Sequence, residues 1–207
     1  MRRKLYFAAV FLLLSVPLAA QAPPSGVGNV GPTYWVGGAF SFFNPDYGCG
    51  GDGPFHCWNN QLIGVVPYMD TSSLIFHRVG LEAEARMMLF HSPFDMVQTS
   101  YLAGPRVRII RRGNFLFTGK FLIGYAHLDV KPGLGDGSYF AYAPGGAIDY
   151  RFAKYFAARI DYEHQRWPEF PCWHSCAEGA TGGLTPNGFS FGVSYAIHRG
   201  DVEINPN

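Results

Sequence analysis

The chain has 207 residues, which is enough for one domain with a sizeable core. Its 16 Lys+Arg nearly balance its 15 Asp+Glu, and this balance excludes the basic surface that nucleic-acid binding requires. Charged residues reach only 15%, against about 25% in an average soluble domain, and together with 26 Gly, 15 Pro and 16% aromatics they favour an all-β, turn-rich protein.

The first residues have the three parts of a secretory signal peptide. Residues 2–4 are positively charged, residues 5–20 form an apolar run, and an A-x-A cleavage pattern ends at Ala22. The run is shorter than the roughly 20 residues that a helix needs to span a bilayer. We therefore predict a signal peptide over residues 1–22, cleaved after Ala20 or Ala22.

After a flexible lead at 23–32, apolar and polar side chains alternate in stretches of about ten residues. A period of two is typical of β-strands. In the first stretch Tyr34, Phe40 and Phe42 share one face, and every later stretch has a similar apolar face. The eight stretches span residues 33–43, 62–71, 81–89, 100–110, 115–127, 139–151, 156–165 and 189–198.

The third stretch, "LEAEARMML", consists largely of good helix formers. An amphipathic helix with a Glu82–Arg86 pair one turn apart is therefore an alternative. However, Glu82, Glu84 and Arg86 alternate with apolar residues, and the seven companion stretches have the same period. We predict a strand with a charged face and an apolar face.

The polar faces of the eight stretches carry equal numbers of acids and bases. A soluble barrel would turn these charges to water, whereas a transmembrane barrel would turn them into its lumen. Alternation alone does not decide between the two architectures. The charged residues are Asp70, Glu82, Glu84, Asp149, Asp161 and Glu163, opposed by Arg86, Arg106, Arg108, Lys120, Arg151 and Arg159.

Three features favour the transmembrane form. The strands have the length of about 9–11 residues and the even number that membrane barrels use. Small Gly, Ala and Ser residues separate the charges, as the narrow interior of an eight-stranded barrel requires. The connections at 111–114 and 152–155 are short, whereas those at 44–61 and 166–188 are long, the rhythm of periplasmic turns and outer loops.

We therefore predict an all-β, eight-stranded antiparallel up-and-down transmembrane β-barrel with a filled polar lumen over residues 33–198. Glu82, Glu84 and Arg86 should point into the lumen and meet Arg106 and Arg108 on the next strand. Three prolines oppose this prediction, because proline removes a hydrogen bond from a β-ladder. They are Pro67, Pro105 and Pro144, all on apolar faces.

The last stretch reads Ser190-x-Gly192-x-x-Tyr195-x-Ile197, which fits the barrel assembly signal polar-x-Gly-x-x-aromatic-x-hydrophobic. With the eight strands, it makes the chain resemble the outer-membrane protein β-barrel family of OmpA/OmpX-like eight-stranded barrels. The resemblance implies a place in the outer membrane of a double-membrane bacterium, contact with outer-membrane lipid, and insertion by the barrel assembly machinery. The tail at 199–207, expected in the periplasm, departs from the many members that end on an aromatic residue.

Four cysteines lie in the two long connections: Cys49, Cys57, Cys172 and Cys176. An even number of cysteines in an exported chain indicates disulfides. We predict one local bridge within each connection, with pairing between the connections as the alternative. A zinc site with His56 and His174 is a further alternative, although only the second cysteine pair has ligand spacing.

An outer-membrane enzyme acting on lipid would need a nucleophile, a base and an acid in contact. His127 and His164 are predicted near the outer rim, with Asp129 and Glu163 close in sequence. Glu163 and His164 are consecutive, however, and so point to opposite faces of a strand. We predict no enzyme and no cofactor, and we interpret the RGD tripeptide at 199–201 as a chance match.

Twelve charged side chains in a lumen that eight strands already fill leave no room for a general porin. The sequence instead predicts a structural or surface-interaction barrel, which would bind an extracellular ligand at the connections 44–61 and 166–188. An outer-membrane lipid-modifying enzyme and a soluble periplasmic ligand-binding barrel are the alternatives.

Overall fold

The computed structural model describes residues 32–46, 61–75, 78–91, 97–129, 136–170 and 183–199. They form a closed antiparallel barrel in which each strand pairs with its neighbours in sequence and the last strand pairs with the first. The predicted fold class is confirmed. The strands are β1 (Thr33–Asn44), β2 (Leu62–Ile75), β3 (Val79–His91), β4 (Val97–Arg112), β5 (Phe115–Asp129), β6 (Asp136–Arg151), β7 (Phe156–His164) and β8 (Asn187–His198).

All eight predicted stretches coincide with strands, and the third stretch belongs to β3 rather than to a helix. β2 and β3 extend toward each other, so only residues 76–78 connect them. The described part of the chain contains no helix that is long and apolar enough to cross a bilayer.

The barrel has an apolar exterior and a charged interior. Phe40 and Tyr125 are 60% and 68% exposed, whereas Glu84 and Arg86 are 7% and 1% exposed. A soluble protein does not present so large a continuous apolar surface to water, and a bilayer requires one. Similar exposed positions recur around the barrel: Phe42, Met69, Leu81, Tyr101, Val107, Phe121, Ile123, Phe140, Ile148, Tyr150, Ile160, Tyr162, Phe189, Phe191, Val193, Tyr195 and Ile197.

The connections differ between the two ends of the barrel. At the short-turn end, residues 76–78, 113–114 and 152–155 join the strands. Gly113 has a φ of 56°, a left-handed conformation that glycine adopts without strain, and this permits the two-residue turn between β4 and β5. The longer connections all lie at the opposite end, because the strands alternate in direction.

The three strand prolines lie on the lipid-facing side and keep the register of one neighbouring strand. Pro67 lies opposite Gly38, Pro105 opposite Leu81 and Pro144 opposite Phe121. On the β7 side of Pro144, the β6–β7 ladder stops at Gly145, and pairing resumes only as a bridge between Tyr142 and Arg166. Proline has no N–H, so the ladder is interrupted where the donor is missing. The prolines therefore shape individual ladders without breaking the barrel.

A β-bulge in β4 changes which residues face the lumen. The pairing passes from Arg108–Thr118 to Ile110–Phe117, so β4 has one extra residue. Ile109 and Ile110 consequently both face outward, at 70% and 52% exposure. A bulge inserts one residue and shifts the alternation that follows it. Here it turns Arg111 toward the inside of the barrel.

The loss of stability caused by a charged residue on the barrel exterior should depend on the depth of that residue in the bilayer. We expect Phe121→Arg, in the middle of β5, to reduce the free energy of unfolding by about 2–4 kcal/mol. Phe152→Arg, at the short-turn end, should cost about 0–1 kcal/mol because its charge reaches the interface. Urea titration of both variants in phospholipid vesicles measures the difference, and equal costs would contradict a lipid-facing β5.

Candidate functional site in the barrel lumen

Lys120 lies at the centre of the lumen and contacts four carboxylates. Its Nζ atom is 3.1 Å from Glu82 Oε1, 2.8 Å from Glu84 Oε2, 2.9 Å from Asp161 Oδ2 and 3.0 Å from Glu163 Oε2. Lys120 is on β5, the two glutamates at 82 and 84 are on β3, and the acids at 161 and 163 are on β7. One ammonium therefore connects three strands across the barrel interior.

Three of these carboxylates also have the arrangement of a cation site. Oxygen atoms of Glu84, Asp161 and Glu163 lie within 4.8 Å of one another, and all three residues are buried. The Lys120 ammonium is within 3.0 Å of each of them. The side chain thus fills the position that a metal ion would take, and we assign no metal to these acids.

Arg86 connects the Lys120 layer to the seam between the first and last strands. Its guanidinium lies 3.0 Å from Glu84 Oε1 and 3.3 Å from Glu163 Oε2. It also donates to Ser41 Oγ at 2.5 Å and to Ser190 Oγ at 2.8 Å. The two serines face each other across the β1–β8 ladder, and Ser190 donates to Ser41 at 3.1 Å. β3 is therefore bonded to both strands that close the barrel.

A second ionic layer lies nearer the short-turn end. Asp70 Oδ2 is 2.8 Å from Arg106 Nη1 and 2.5 Å from Arg159 Nη2. Asp149 accepts from Arg159 Nε at 2.6 Å and also from Arg106. Both guanidiniums lie 3.4 Å from Glu82 Oε2. Because Glu82 also contacts Lys120, the two layers form one continuous network.

Neutral side chains hold the second layer in place. Thr118 Oγ1 accepts from Arg106 at 3.1 Å. The guanidinium of Arg159 lies 4.1 Å above the ring of Tyr68, a favourable cation–π contact. The Tyr68 ring in turn covers Gly37, where a Cβ atom would lie 2.3 Å from a ring carbon. The small residue on the polar face of β1 thus makes room for a large neighbour.

The outer half of the lumen is filled by residues that follow β7. Trp167 is fully buried and lies with its ring parallel to Tyr139, at 6.1 Å between centroids. Its Nε1 donates to Gln165 Oε1 at 3.0 Å, and Gln165 donates to Glu163 Oε1 at 2.8 Å. The surrounding apolar cluster comprises Leu102, Leu122, Ala126, Leu128, Ala141, Ala143, Phe170 and Leu184.

The positions of Gln165 and Trp167 were not predicted as part of the lumen. The sequence leaves Trp167 open as either a contact residue for a ligand or a residue packed on the barrel rim. The structure places it inside the barrel. The only available signal is the alternation of β7, because inward positions 157, 159, 161 and 163 continue to 165 and 167.

Ten of the twelve charged residues chosen from the sequence are buried in the lumen, all except Arg108 and Arg151. Those two are half-buried and line a cavity at the short-turn end. The expected pairing of β3 with its neighbour β4 is seen in Glu82–Arg106 at 3.4 Å. The shorter contacts run across the lumen instead, as in Lys120–Glu84, because inward side chains in a narrow barrel meet at its axis.

The assembly-signal residues divide between the two faces of β8. Ser190 is buried and binds Arg86, whereas Tyr195 and Ile197 are exposed on the outside. Gly192 lies against β1, where a Cβ atom would be 2.3 Å from the carbonyl oxygen of Gly38. A larger residue at position 192 would therefore clash with the backbone of β1, at the β1–β8 pairing that closes the barrel.

The histidines considered for catalysis do not join Glu163. His127 faces outward and its Nδ1 lies 3.0 Å from Ser138 Oγ on β6. Glu163 is fully buried, with Lys120 and Gln165 as partners, while His164 takes the opposite face of β7. The acid thus serves the lumen network rather than either histidine.

Several predicted features fall outside the described residues. They are the signal peptide, the four cysteines Cys49, Cys57, Cys172 and Cys176, the zinc alternative with His56 and His174, and most of the tail at 199–207.

No protein-family model matches the sequence, and a search of curated proteins finds no match. The crystal structure of Neisserial surface protein A is similar at a TM-score of 0.50 and 9% identity, over 79% of this chain and 96% of that chain. The chain has the fold of a small outer-membrane barrel. At this identity the likeness concerns the fold alone, and it confirms the resemblance to eight-stranded outer-membrane barrels.

Two further barrel structures give lower scores. Ail, the attachment invasion locus protein of Yersinia pestis, has a TM-score of 0.46 and 14% identity, over 80% of this chain and 97% of Ail. The outer membrane protein OprG from Pseudomonas aeruginosa has a TM-score of 0.48 and 12% identity, over 83% of this chain and 99% of OprG.

Removing the cation that four lumen acids share should be costly. Lys120→Met would leave four buried carboxylates without their ammonium, and we expect a loss of about 3–5 kcal/mol in the free energy of unfolding. Adding Glu163→Gln should restore part of the loss, because the double variant buries one charge fewer. Urea unfolding of the purified barrel measures both effects.

Lys154→Met is the matched control for this series, since Lys154 lies in the exposed turn between β6 and β7. We expect it to change stability by less than about 1 kcal/mol. A loss in Lys120→Met no larger than that of the control would contradict a central role for the ammonium.

Proposed function

We propose that this protein resides in the outer membrane of a double-membrane bacterium as a closed barrel that presents a surface for interaction. Its extracellular surface would be formed by the connections 44–61 and 166–188. The observation that carries the proposal is the filled lumen inside an apolar exterior. Because the described side chains fill the middle and the outer half of the lumen, the exposed connections are the parts of the barrel best placed to contact a ligand outside the cell.

The lumen is filled at three successive levels. Trp167 and its apolar neighbours occupy the outer half, Lys120 and its four acids the middle, and Arg106 and Arg159 with their acids the level beyond. The side chains at each level contact those at the next, through Gln165–Glu163 and through Glu82. These contacts support a structural core rather than a general porin.

The asymmetry of the connections supports the orientation. In small outer-membrane barrels the short turns face the periplasm and the longer connections face outward. β1 begins and β8 ends at the short-turn end, where the turns at 113–114 and 152–155 lie. In this orientation the connections that carry the four cysteines would lie outside the cell, where an oxidising environment would favour the two predicted disulfides.

Binding is a better fit than catalysis to the described residues. His127 contacts Ser138 through its Nδ1 atom. Glu163, the acid next to His164 in sequence, contacts Lys120 in the lumen instead of the histidine. We infer that outer-membrane lipid contacts the wall as solvent rather than as substrate. The barrel assembly machinery would recognise β8, and the surface ligand would bind at the outer connections.

The native cysteines allow location, orientation and disulfide formation to be tested together. We expect a membrane-impermeant maleimide to leave intact cells unlabelled at this protein, and to label it after mild reduction. The reason is that oxidised cysteines at the surface react only once their bridges are opened. Labelling is quantified by the mass shift of the protein in outer-membrane fractions.

Lys154→Cys, in a background with the four native cysteines replaced by serine, is the matched control. Lys154 lies in a short turn, so it should stay unlabelled in intact cells and react after lysis. If position 154 reacts in intact cells, the orientation is inverted. If the native cysteines react without reduction, the predicted disulfides are wrong.

The filled lumen also predicts a specific electrical result. In planar bilayers we expect the purified protein to give no stable stepwise conductance, because the inward side chains block the passage of hydrated ions. A general porin measured in parallel shows that the bilayer reports open channels. Stable steps of porin size from the wild-type barrel would overturn the closed-lumen proposal.

A further inference from the structure

A cluster of aromatic rings lies on the exterior of the barrel at the short-turn end, beside the β7–β8 pair. Phe152 and Phe156 stack with 6.1 Å between their centroids, and Phe156 lies 5.2 Å from Tyr195. Tyr155 lies 6.1 Å from Tyr195. All four rings are exposed, and Phe156 is paired with Tyr195 across the β7–β8 ladder. The cluster is therefore a continuation of the lipid-facing wall.

Two cations lie near the ring of Tyr155. The Nζ atom of Lys154 is 5.2 Å from the ring centroid, and the guanidinium carbon of Arg199 is 5.9 Å from it. Such contacts are favourable, and they place a cation without neutralising its charge. None of the carboxylates that the structure describes forms an ion pair with either cation. One ring thus brings together two charges from separate parts of the chain.

Backbone hydrogen bonds hold these parts in place. Lys154 and Tyr155 belong to the turn between β6 and β7, whereas Arg199 follows the last residue of β8. Ala196 N donates to Tyr155 O at 2.9 Å, which joins the turn to β8. Within the turn, Ala153 and Phe156 exchange hydrogen bonds of 3.3 Å and 3.4 Å. The cations are therefore attached to ordered backbone at the end of two paired strands.

The order of these side chains along the barrel matches the order of chemical groups in a lipid leaflet. Aromatic rings mark the interfaces of membrane barrels, and Lys and Arg extend their charges from the apolar region into the headgroups. Phe156 and Tyr195 lie within the strands, where acyl chains pass. Lys154, Tyr155 and Arg199 lie just beyond, at the depth of the phosphate groups.

We propose that this cluster binds the headgroup of one anionic glycerophospholipid. The Lys154 ammonium would contact the phosphodiester as a point charge, and Arg199 would donate to it with paired N–H groups. The Tyr155 hydroxyl would supply a further donor. The acyl chains would pack on Phe152, Phe156 and Tyr195. These rings make a membrane lipid a better occupant than a soluble phosphate, and they give the barrel wall one position that selects among lipids.

The test uses the purified full-length barrel in a non-ionic detergent, with bound lipid counted by native mass spectrometry. Phosphatidylglycerol and phosphatidylcholine are titrated separately. Each cation near an anionic headgroup tightens binding about fivefold. We therefore expect the first phosphatidylglycerol to bind at least about tenfold more tightly than the first phosphatidylcholine, which has no net charge.

Variants at the short-turn end distinguish a site from a general charge effect. We expect Lys154→Gln and Arg199→Gln each to weaken phosphatidylglycerol binding about fivefold. Tyr155→Leu removes the ring that both cations contact and should weaken it at least as much. Arg112→Gln is the matched control, because Arg112 is exposed at the same end of the barrel but on β4, four strands away from β8. It should leave the dissociation constant within about twofold.

Heat-dependent gel migration shows that each variant is folded before lipid is added. Equal binding of the two lipids to the wild type would overturn the proposal, as would equal weakening in Arg112→Gln and Arg199→Gln. Glycerol phosphate carries the phosphate chemistry without acyl chains. Its displacement of phosphatidylglycerol at equal concentration would assign the cluster to a soluble phosphate and overturn the lipid site. Binding in detergent does not depend on orientation in the cell, so this test and the surface labelling fail independently.

Discussion

The Lys120 ammonium, shared by carboxylates from two opposite strands, is the interaction on which the rest of the barrel depends. A lipid-facing exterior forces polar side chains inward, and a narrow lumen removes them from bulk water. Buried charges are tolerated only when they are paired and hydrogen-bonded. Lys120 and Arg86 meet four acids, Arg106 and Arg159 balance two more, and Glu82 joins both groups.

The lumen network also extends outward through hydrogen bonds. Glu163 accepts from Gln165, and Gln165 accepts from Trp167, so the residues after β7 are connected to the central ammonium. Trp167 is therefore held by polar contacts as well as by apolar packing against Tyr139 and the surrounding cluster. A substitution at Trp167, where the 166–188 connection begins, would therefore also disturb the contacts of Glu163 with Lys120.

Strand period and side-chain chemistry made much of this architecture predictable. The alternation of Glu82, Glu84 and Arg86 with apolar residues placed them on one face. The even number of strands and their length of about ten residues favoured a membrane barrel. Other features depend on three-dimensional geometry. The narrow lumen brings Lys120 to β3 and β7 rather than to its neighbouring strands. A bulge redirects Arg111, and Trp167, from a long connection, packs in the outer lumen. Local sequence carries no strong signal for any of these.

The contact of Arg86 with Ser41 and Ser190 has a consequence for biogenesis. A barrel exists only once its terminal strands have met, and here the meeting point carries a hydroxyl from each strand toward one guanidinium. Closure of β8 onto β1 brings these two acceptors together around Arg86. Separation of the two terminal strands would deprive a buried guanidinium of hydrogen-bond acceptors, so opening the barrel at this point carries an electrostatic cost in addition to the lost backbone pairing.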